Sequence, residues 1–200
     1  MMKSFWDQRY SEPGFVYGEE PNEYFRIYLN TSLQTPGRLL LPGEGEGRNA
    51  VFAAQKGWEV FAFDQSETGR DKALQLAQNR GVQIRYDALD LHSYPFEEGF
   101  FDLIGIFYFH LPEALRAFAH EQFIRALKPG GALVAELFSK DQLGKSSGGP
   151  QSSDLLYDTE SLRADFSSMD IRYLAAENIR LEEGKYHLGE ASVIRLLALK

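Results

Sequence analysis

Cysteine is absent from the 200 residues, which removes disulfides, thiolate metal sites and a cysteine nucleophile, and is compatible with a reducing compartment. Positive charge is scarce: 21 Lys and Arg face 29 Asp and Glu, a net charge of −8, with a pI near 5.1. Such a surface has no general attraction for phosphate backbones or anionic lipid, so neither nucleic acid nor membrane is expected as a partner. No apolar run approaches the length of a membrane span. The opening Met1-Met2-Lys3-Ser4-Phe5-Trp6 lacks the apolar stretch of a secretory signal, and the chain reads as soluble and cytoplasmic. Recognisable metal-ligand spacings are missing as well: there is no His-x-x-x-His and no Asp-rich loop, so no metal is expected. What is present is 44% apolar residues with 14% aromatics, enough for one substantial core in roughly one domain's worth of chain.

The hydrophobic pattern alternates between strand and helix. Helical periodicity runs from Pro21 to about Asn30, Arg48 to Lys56, Glu67 to Arg80 (with Ala73, Leu74, Leu76 and Ala77 apolar), Glu113 to Leu127 and Thr159 to Phe166, with Thr159 as N-cap. Strand-like runs occupy Arg38 to Leu41, Trp58 to Phe63, Val82 to Tyr86, Asp102 to Phe107, Ala132 to Phe138, Ile171 to Arg180 and Ser192 to Leu199, and Lys128-Pro129-Gly130-Gly131 reads as a turn. The last two strands are joined by a loop too short for a crossover helix and should pair antiparallel at one edge. These seven runs predict a Rossmann-like, doubly wound α/β sheet, mostly parallel, with an antiparallel edge hairpin. Residues 1–36 read as a helical N-terminal cover, 37–200 as the body of the domain, and the Gly- and Ser-rich stretch 144–153 as a mobile surface loop.

In an open α/β sheet the first strand-to-helix turn is the usual ligand platform. Here it is Pro42-Gly43-Glu44-Gly45-Glu46-Gly47-Arg48-Asn49. Its glycines admit close backbone approach, and the helix that follows offers free N–H groups. Asp64, ending the second strand, is placed to accept two hydrogen bonds from a ribose diol, which implies a nucleoside-containing ligand. Gly45 to Ala50 also fits the dinucleotide fingerprint with alanine last, so the glycines alone do not separate cofactor classes. Charge discriminates: a pyrophosphate would meet Glu44 and Glu46, whereas a ligand carrying an ammonium and a sulfonium would not be repelled. The alternative is that both glutamates point into water and only the backbone touches ligand.

The run Leu39-Leu40-Leu41-Pro42-Gly43-Glu44-Gly45-Glu46-Gly47-Arg48-Asn49-Ala50, the strand end Val60 to Asp64, Phe101-Asp102-Leu103-Ile104 and Leu127 to Gly131 together resemble the successive motifs of class I S-adenosylmethionine-dependent methyltransferases. Phe5 to Tyr10 and Phe15 to Asn22 resemble the tellurite-resistance and thiopurine methyltransferase-like branch. The resemblance implies S-adenosylmethionine as cofactor, with Gly43, Glu44, Gly45, Gly47 and Asn49 around its methionine and ribose. It further implies Asp64 on the ribose hydroxyls flanked by Gln65 and Ser66, Asp90-Leu91 (or, in a second register, Asp87-Ala88) at the adenine, and Ile106 and Phe107 toward the methionine. Where the family usually carries an acid at the end of the first strand this chain has Leu41, and Glu44 is the residue placed to take over the ammonium.

On the acceptor side the resemblance points to Tyr108, His110 and Tyr17, with Phe15 and Phe109 as packing residues. His120 reads as structural or solvated, and His92 and His187 carry no signal. Methyl transfer is an in-line displacement whose main demand is alignment, so a separate base is optional. The acceptor is expected to be a small molecule, a thiol or chalcogen oxyanion above others, and the protein a monomer or weak homodimer. Two alternatives stay open: an NAD(P)-dependent oxidoreductase, and a non-catalytic nucleoside-binding protein on the same fold.

Overall fold

The computed structural model describes residues 2–200. It divides into two compact units, one formed by the chain up to Pro95 with Glu183–Tyr186, the other by Phe96–Glu182 with His187–Lys200. The first unit holds helices α1 (Met2–Tyr10) and α2 (Glu23–Thr31), then β1 (Arg38–Pro42), α3 (Arg48–Gln55), β2 (Glu59–Asp64), α4 (Glu67–Asn79) and β3 (Arg85–Ala88). The second holds β4 (Phe101–Phe107), α5 (Glu113–Ala126), β5 (Leu127–Phe138), α6 (Thr159–Asp165), β6 (Asp170–Glu182) and β7 (Leu188–Leu199). The seven strands belong to one mixed sheet in the order β3-β2-β1-β4-β5-β7-β6. Pairing is parallel for β1 with β2, β2 with β3 and β4 with β5. It is antiparallel for β5 with β7 and for the edge hairpin β6–β7, which is the arrangement expected from the strand and helix alternation.

In the first unit Leu39, Leu40 and Leu41 are all buried, as consecutive residues of a parallel strand covered on both faces must be. Helix α4 turns Ala73, Leu76 and Ala77 inward, while Leu74 is 41% exposed. Its position one residue after Ala73 rotates it about 100° off the buried stripe. The third strand is displaced from Val82–Tyr86 to Arg85–Ala88. The Val82 N–H still bonds the Ala77 carbonyl at 3.0 Å, which keeps the segment after Gly81 wrapped on the helix end, and pairing starts only where Arg85 meets Phe61.

In the second unit Lys128-Pro129-Gly130-Gly131 is not a free turn. Strand β5 begins at Leu127, and the register slips between the Phe101 and Leu103 pairings, so the Pro-Gly-Gly stretch is absorbed as an irregularity. Helix α6 is capped by Asp158 instead of Thr159: the Asp158 carboxylate accepts from the Ser161 N–H at 2.7 Å and from Lys140 at 2.5 Å. That lysine holds the Asp158 carboxyl down at about 2.

Gly47, the N-cap of α3, has φ 87°, and a Cβ there would lie 2.5 Å from the Cβ and 2.8 Å from the Cα of Ala73. Gly47→Ala is expected to cost about 2–4 kcal/mol, from left-handed backbone plus overpacking. A thermal melt should show a midpoint lower by roughly 5–15 °C. Adding Ala73→Gly should recover the overpacking part and leave the backbone part, because only the first depends on the α4 side chain.

Candidate active site

The turn after β1 carries three glycines in the left-handed region, Gly43 at φ 61°, Gly45 at 62° and Gly47 at 87°. The Gly45 N–H donates to Asp64 Oδ2 at 3.3 Å, and the Ser66 N–H donates to Asp64 Oδ1 at 2.9 Å. The Tyr86 hydroxyl donates to the Gly45 carbonyl at 2.7 Å. Ser66 caps α4 by accepting from the Gly69 N–H and donates its own proton to Asp7 at 2.6 Å, while Gln65 beside it is half-buried. Asp64 is 8% exposed, and burial pushes its carboxyl up to about 6. A desolvated carboxylate of this kind gains from further hydrogen-bond donors.

Glu46 does not point into water, and the half-buried Glu44 turns part of its carboxylate onto the helix that follows. With glycine at the N-cap, Glu44 caps α3 from one residue-turn upstream: it accepts from the Ala50 N–H at 2.7 Å and from Asn49 Nδ2 at 3.4 Å. Burial raises its carboxyl to about 7. Glu46 is buried; one oxygen accepts from the Val16 N–H at 2.8 Å and the other pairs with Lys72 at 2.8 Å. Lys72 also donates to the carbonyls of Glu12 and Gly14. Arg48 reaches the Tyr17 carbonyl at 3.2 Å and Glu183 at 2.8 Å, and Asn49 Oδ1 accepts from the Asn22 N–H at 2.8 Å. Glu46, Arg48 and Asn49 thus fasten residues 12–22, which leaves the backbone of the turn and the half-buried Glu44 for a ligand.

Tyr17 lies in this fastened stretch with its hydroxyl accepting from Arg9 at 3.1 Å, and burial raises its phenol. Phe15 packs with the Val51, Leu76 and Ala77 cluster. Leu41 is buried in β1 opposite Ala62, so Glu44 is the carboxylate that the turn itself supplies. Asp87 sits in β3 opposite Phe63. Asp90 is exposed and spends its Oδ1 on the His92 and Ser93 N–H groups at 3.0 and 2.9 Å, which hold its carboxyl below the usual range. Leu91 is buried. The glycine cradle and the buried acceptor at the end of β2 fit an adenosyl cofactor: the glycines add no Cβ to the cradle, and Asp64 accepts where a diol donates.

In the second unit Ile106 and Phe107 are buried at the end of β4, followed by Tyr108 at φ 53°, the one non-glycine in the left-handed region among the described residues. Strain of this kind persists only where surroundings enforce it. Glu136 enforces it twice: its carbonyl accepts from the Tyr108 N–H at 2.9 Å and its Oε1 from the Tyr108 hydroxyl at 2.6 Å. Glu136 is 1% exposed and is balanced by Arg195 at 2.7 Å, which Glu177 holds in turn at 2.9 Å.

His110 contacts the Leu155 carbonyl through Nδ1 at 2.8 Å. A carbonyl only accepts, so Nδ1 carries the proton. Nε2 is left as a bare lone pair, buried and without a partner among the described residues. The ring stacks on Phe138 at 5.6 Å and tilts against Tyr157 at 5.6 Å. Burial pushes its pKa down to about 4, so it is neutral near pH 7.

Sequence reasoning missed three features here. His187 is buried with its ring edge-on to Tyr108 at 4.4 Å and to Phe138 at 5.3 Å. Glu136 was detectable as a lone carboxylate inside an apolar strand. Tyr10, whose ring lies over the glycine turn, stood in the Phe5 to Tyr10 run but was given no role there. His120 takes the structural role, buried and bonded to Asp165 at 2.8 Å, and Asp102 is held by Lys128 at 2.8 Å.

Residues 40–131 match the family model described as "Methyltransferase domain". That stretch is similar to methyltransferase domains and contains the glycine turn, Asp64 and His110. A 2-heptyl-1-hydroxyquinolin-4(1H)-one methyltransferase of Mycobacteroides abscessus is 24% identical over 147 residues, 72% of this chain and 64% of that protein; the match thus spans less than two thirds of the relative. Among solved structures, one reported for conversion of a disulfide bond into a thioacetal group during echinomycin biosynthesis aligns with TM-score 0.82 and 17% identity over 100% of this chain and 92% of the other. TehB from Haemophilus influenzae aligns with TM-score 0.72 and 13% identity over 99% and 66%. Phosphoethanolamine N-methyltransferase 2 of Haemonchus contortus, solved with S-adenosylmethionine, aligns with TM-score 0.64 and 21% identity over 88% and 42%. At these identities the likenesses are of fold. No helix among the described residues is long and apolar enough to cross a membrane.

Proposed function

We propose that the protein transfers a methyl group from S-adenosylmethionine to a small aromatic acceptor bearing an acidic O–H, N–H or S–H. The observation that carries this is the His110 lone pair: a neutral imidazole fixed in one tautomer, with a buried Nε2 that no group among the described residues satisfies. A base held near 4 is best matched to an acceptor whose proton is itself acidic. The acceptor named for the Mycobacteroides abscessus relative, a 1-hydroxyquinolinone, is of that chemical kind. A thiol stays within the class. A chalcogen oxyanion loses support, because it would bring negative charge against a lone pair.

When bound, the cofactor supplies an electrophilic methyl. Asp64 holds the ribose, the backbone of Gly43, Gly45 and Gly47 lies along the cofactor, Gln65 and Ser66 flank it, and Asp90 with Leu91 serves the adenine. Glu44 accepts from the ammonium with the lone pairs that capping leaves unused. Asn49 supports Glu44, and Ile106 and Phe107 form the apolar wall for the methionine. His110 Nε2 takes the acceptor proton as the nucleophile attacks, and the Leu155 carbonyl stabilises the imidazolium through Nδ1–H. Tyr108 and Tyr17 position the acceptor. We place the protein in the cytoplasm as a monomer or weak homodimer.

The test is transfer of label from methyl-tritiated S-adenosylmethionine to a panel of N-hydroxy heteroaromatics, phenols, aryl thiols and selenite. Label in the ring-borne acceptors and none in selenite is the expected result. Label in selenite alone overturns the acceptor class. Retention of NAD(H) in place of S-adenosylmethionine favours the oxidoreductase, and tight cofactor binding with no label in any acceptor favours a nucleoside-binding role.

A further inference from the structure

Tyr10, the last residue of α1, is 5% exposed, yet its hydroxyl has no hydrogen-bond partner among the described residues. The oxygen is not one of the fully buried, unsatisfied atoms; the tip of the ring is the part that solvent reaches. It lies directly against the glycine turn: a Cβ on Gly45 would be 2.5 Å from the Tyr10 oxygen and 3.0 Å from the ring carbon that bears it. The ring is seated on its other side by Gly69 in the first turn of α4, where a Cβ would meet the Tyr10 ring at 3.0 and 3.2 Å. It stacks on Trp6 at 5.5 Å and meets Tyr17 edge-on at 6.4 Å. Two glycines are thus shaped around one phenol.

Packing alone would be served by phenylalanine. A hydroxyl seated rigidly between two glycines, reached by solvent at its tip and bonded to no group among the described residues, is placed to take a partner that arrives with a ligand. Its surroundings say which role it plays. Burial and the nearby carboxylates, Asp64 foremost, raise the phenol well above its ordinary value, so it stays protonated and serves as a donor. The Gly45 N–H beside it is the one that bonds Asp64, which puts the hydroxyl and the Asp64 carboxylate on the same short piece of backbone.

We propose that the Tyr10 hydroxyl donates to a ribose oxygen of the cofactor and so shares the sugar with Asp64. The division of labour follows from hydrogen-bond valence: a carboxylate only accepts and takes the protons of the diol, whereas each ribose oxygen keeps lone pairs that only a donor can use. Helix α1 then belongs to the binding site through this one atom. The inference rests on the reading of Asp64 given above.

The experiment is calorimetry of Tyr10→Phe against S-adenosylhomocysteine and against 5′-methylthioadenosine, which keeps the ribose and lacks the amino-acid end. Both ligands should bind roughly five- to tenfold more weakly, the loss of one hydrogen bond, with the melting temperature of the ligand-free protein unchanged. Wild-type affinity for both overturns the proposal. A loss confined to S-adenosylhomocysteine moves the hydroxyl to the amino-acid end and overturns the ribose assignment. Asp64→Ala run in parallel separates the two readings: if it binds normally the Asp64 reading fails, and if it fails to bind while Tyr10→Phe binds like wild type, only the present inference falls.

Discussion

Asp64→Ala is expected to weaken S-adenosylhomocysteine binding roughly 100-fold or more, from the micromolar range typical of about −8 kcal/mol to beyond calorimetric detection. Two hydrogen bonds from a diol to an ionised carboxylate are each worth about 1.5–3 kcal/mol in a desolvated site, and their sum exceeds that factor. Fold stability should change far less. The burial that raises the Asp64 carboxyl already weighs against its ionised form in the ligand-free protein and offsets the two bonds it accepts from the Gly45 and Ser66 N–H groups.

The same carboxylate gives a pH signature with a definite sign. Its folded-state pKa, about 6, stands above that of the unfolded chain. Its contribution to stability is therefore fully present below the usual carboxylate range, and is lost as pH rises through about 6. Ligand binding runs the other way, since the ionised form grips the sugar. Affinity for S-adenosylhomocysteine should rise steeply between pH 5 and pH 7, over the window in which the ligand-free protein loses this contribution, and the rise should be absent in Asp64→Asn.

His110→Phe should lower kcat by roughly 100-fold or more, the usual scale of a lost general base, with cofactor affinity unaltered. Phenylalanine keeps the stacking on Phe138 and Tyr157 and removes both ring nitrogens. A packing role would instead raise KM at constant kcat. Because burial holds His110 at about 4, the wild-type rate should be flat in this group from pH 5.5 to 8 and decline only toward pH 4. An unperturbed histidine would show a limb near 6.5.

Much of the sheet was legible because each strand's period and each Gly or Pro break are local properties of the chain. The parallel strands appeared as short apolar runs, and the edge hairpin followed from a connection too short to cross over. The glycine turn and Asp64 were legible for a similar reason: they form a strand-turn-helix unit read within 30 residues. The errors arose where a partner distant in sequence decides. Val82 stays on the helix end through Ala77, Asp158 outcompetes Thr159 with help from Lys140, and Glu46 faces Lys72 and Val16 instead of water. Glu136 shows in the sequence only as a lone carboxylate in an apolar strand and meets Tyr108 once β4 and β5 are paired, while His187 stands next to Tyr108 from a distant part of the chain, so no local pattern announces the group they form.

The anchoring of residues 12–22 by Glu46, Arg48 and Asn49 makes the turn and the N-terminal stretch a single inheritable part. Neither is interchangeable alone. Transplanting this turn into a related protein without its leading segment would take the Val16 N–H from Glu46, the Tyr17 carbonyl from Arg48 and the Asn22 N–H from Asn49, and leave three interior polar groups short of a bond. A chimera that respects the fold should therefore be cut after α4, so that Lys72 travels with Glu46 and the leading segment, and not between α2 and β1, where Pro36-Gly37 marks a break in the primary structure.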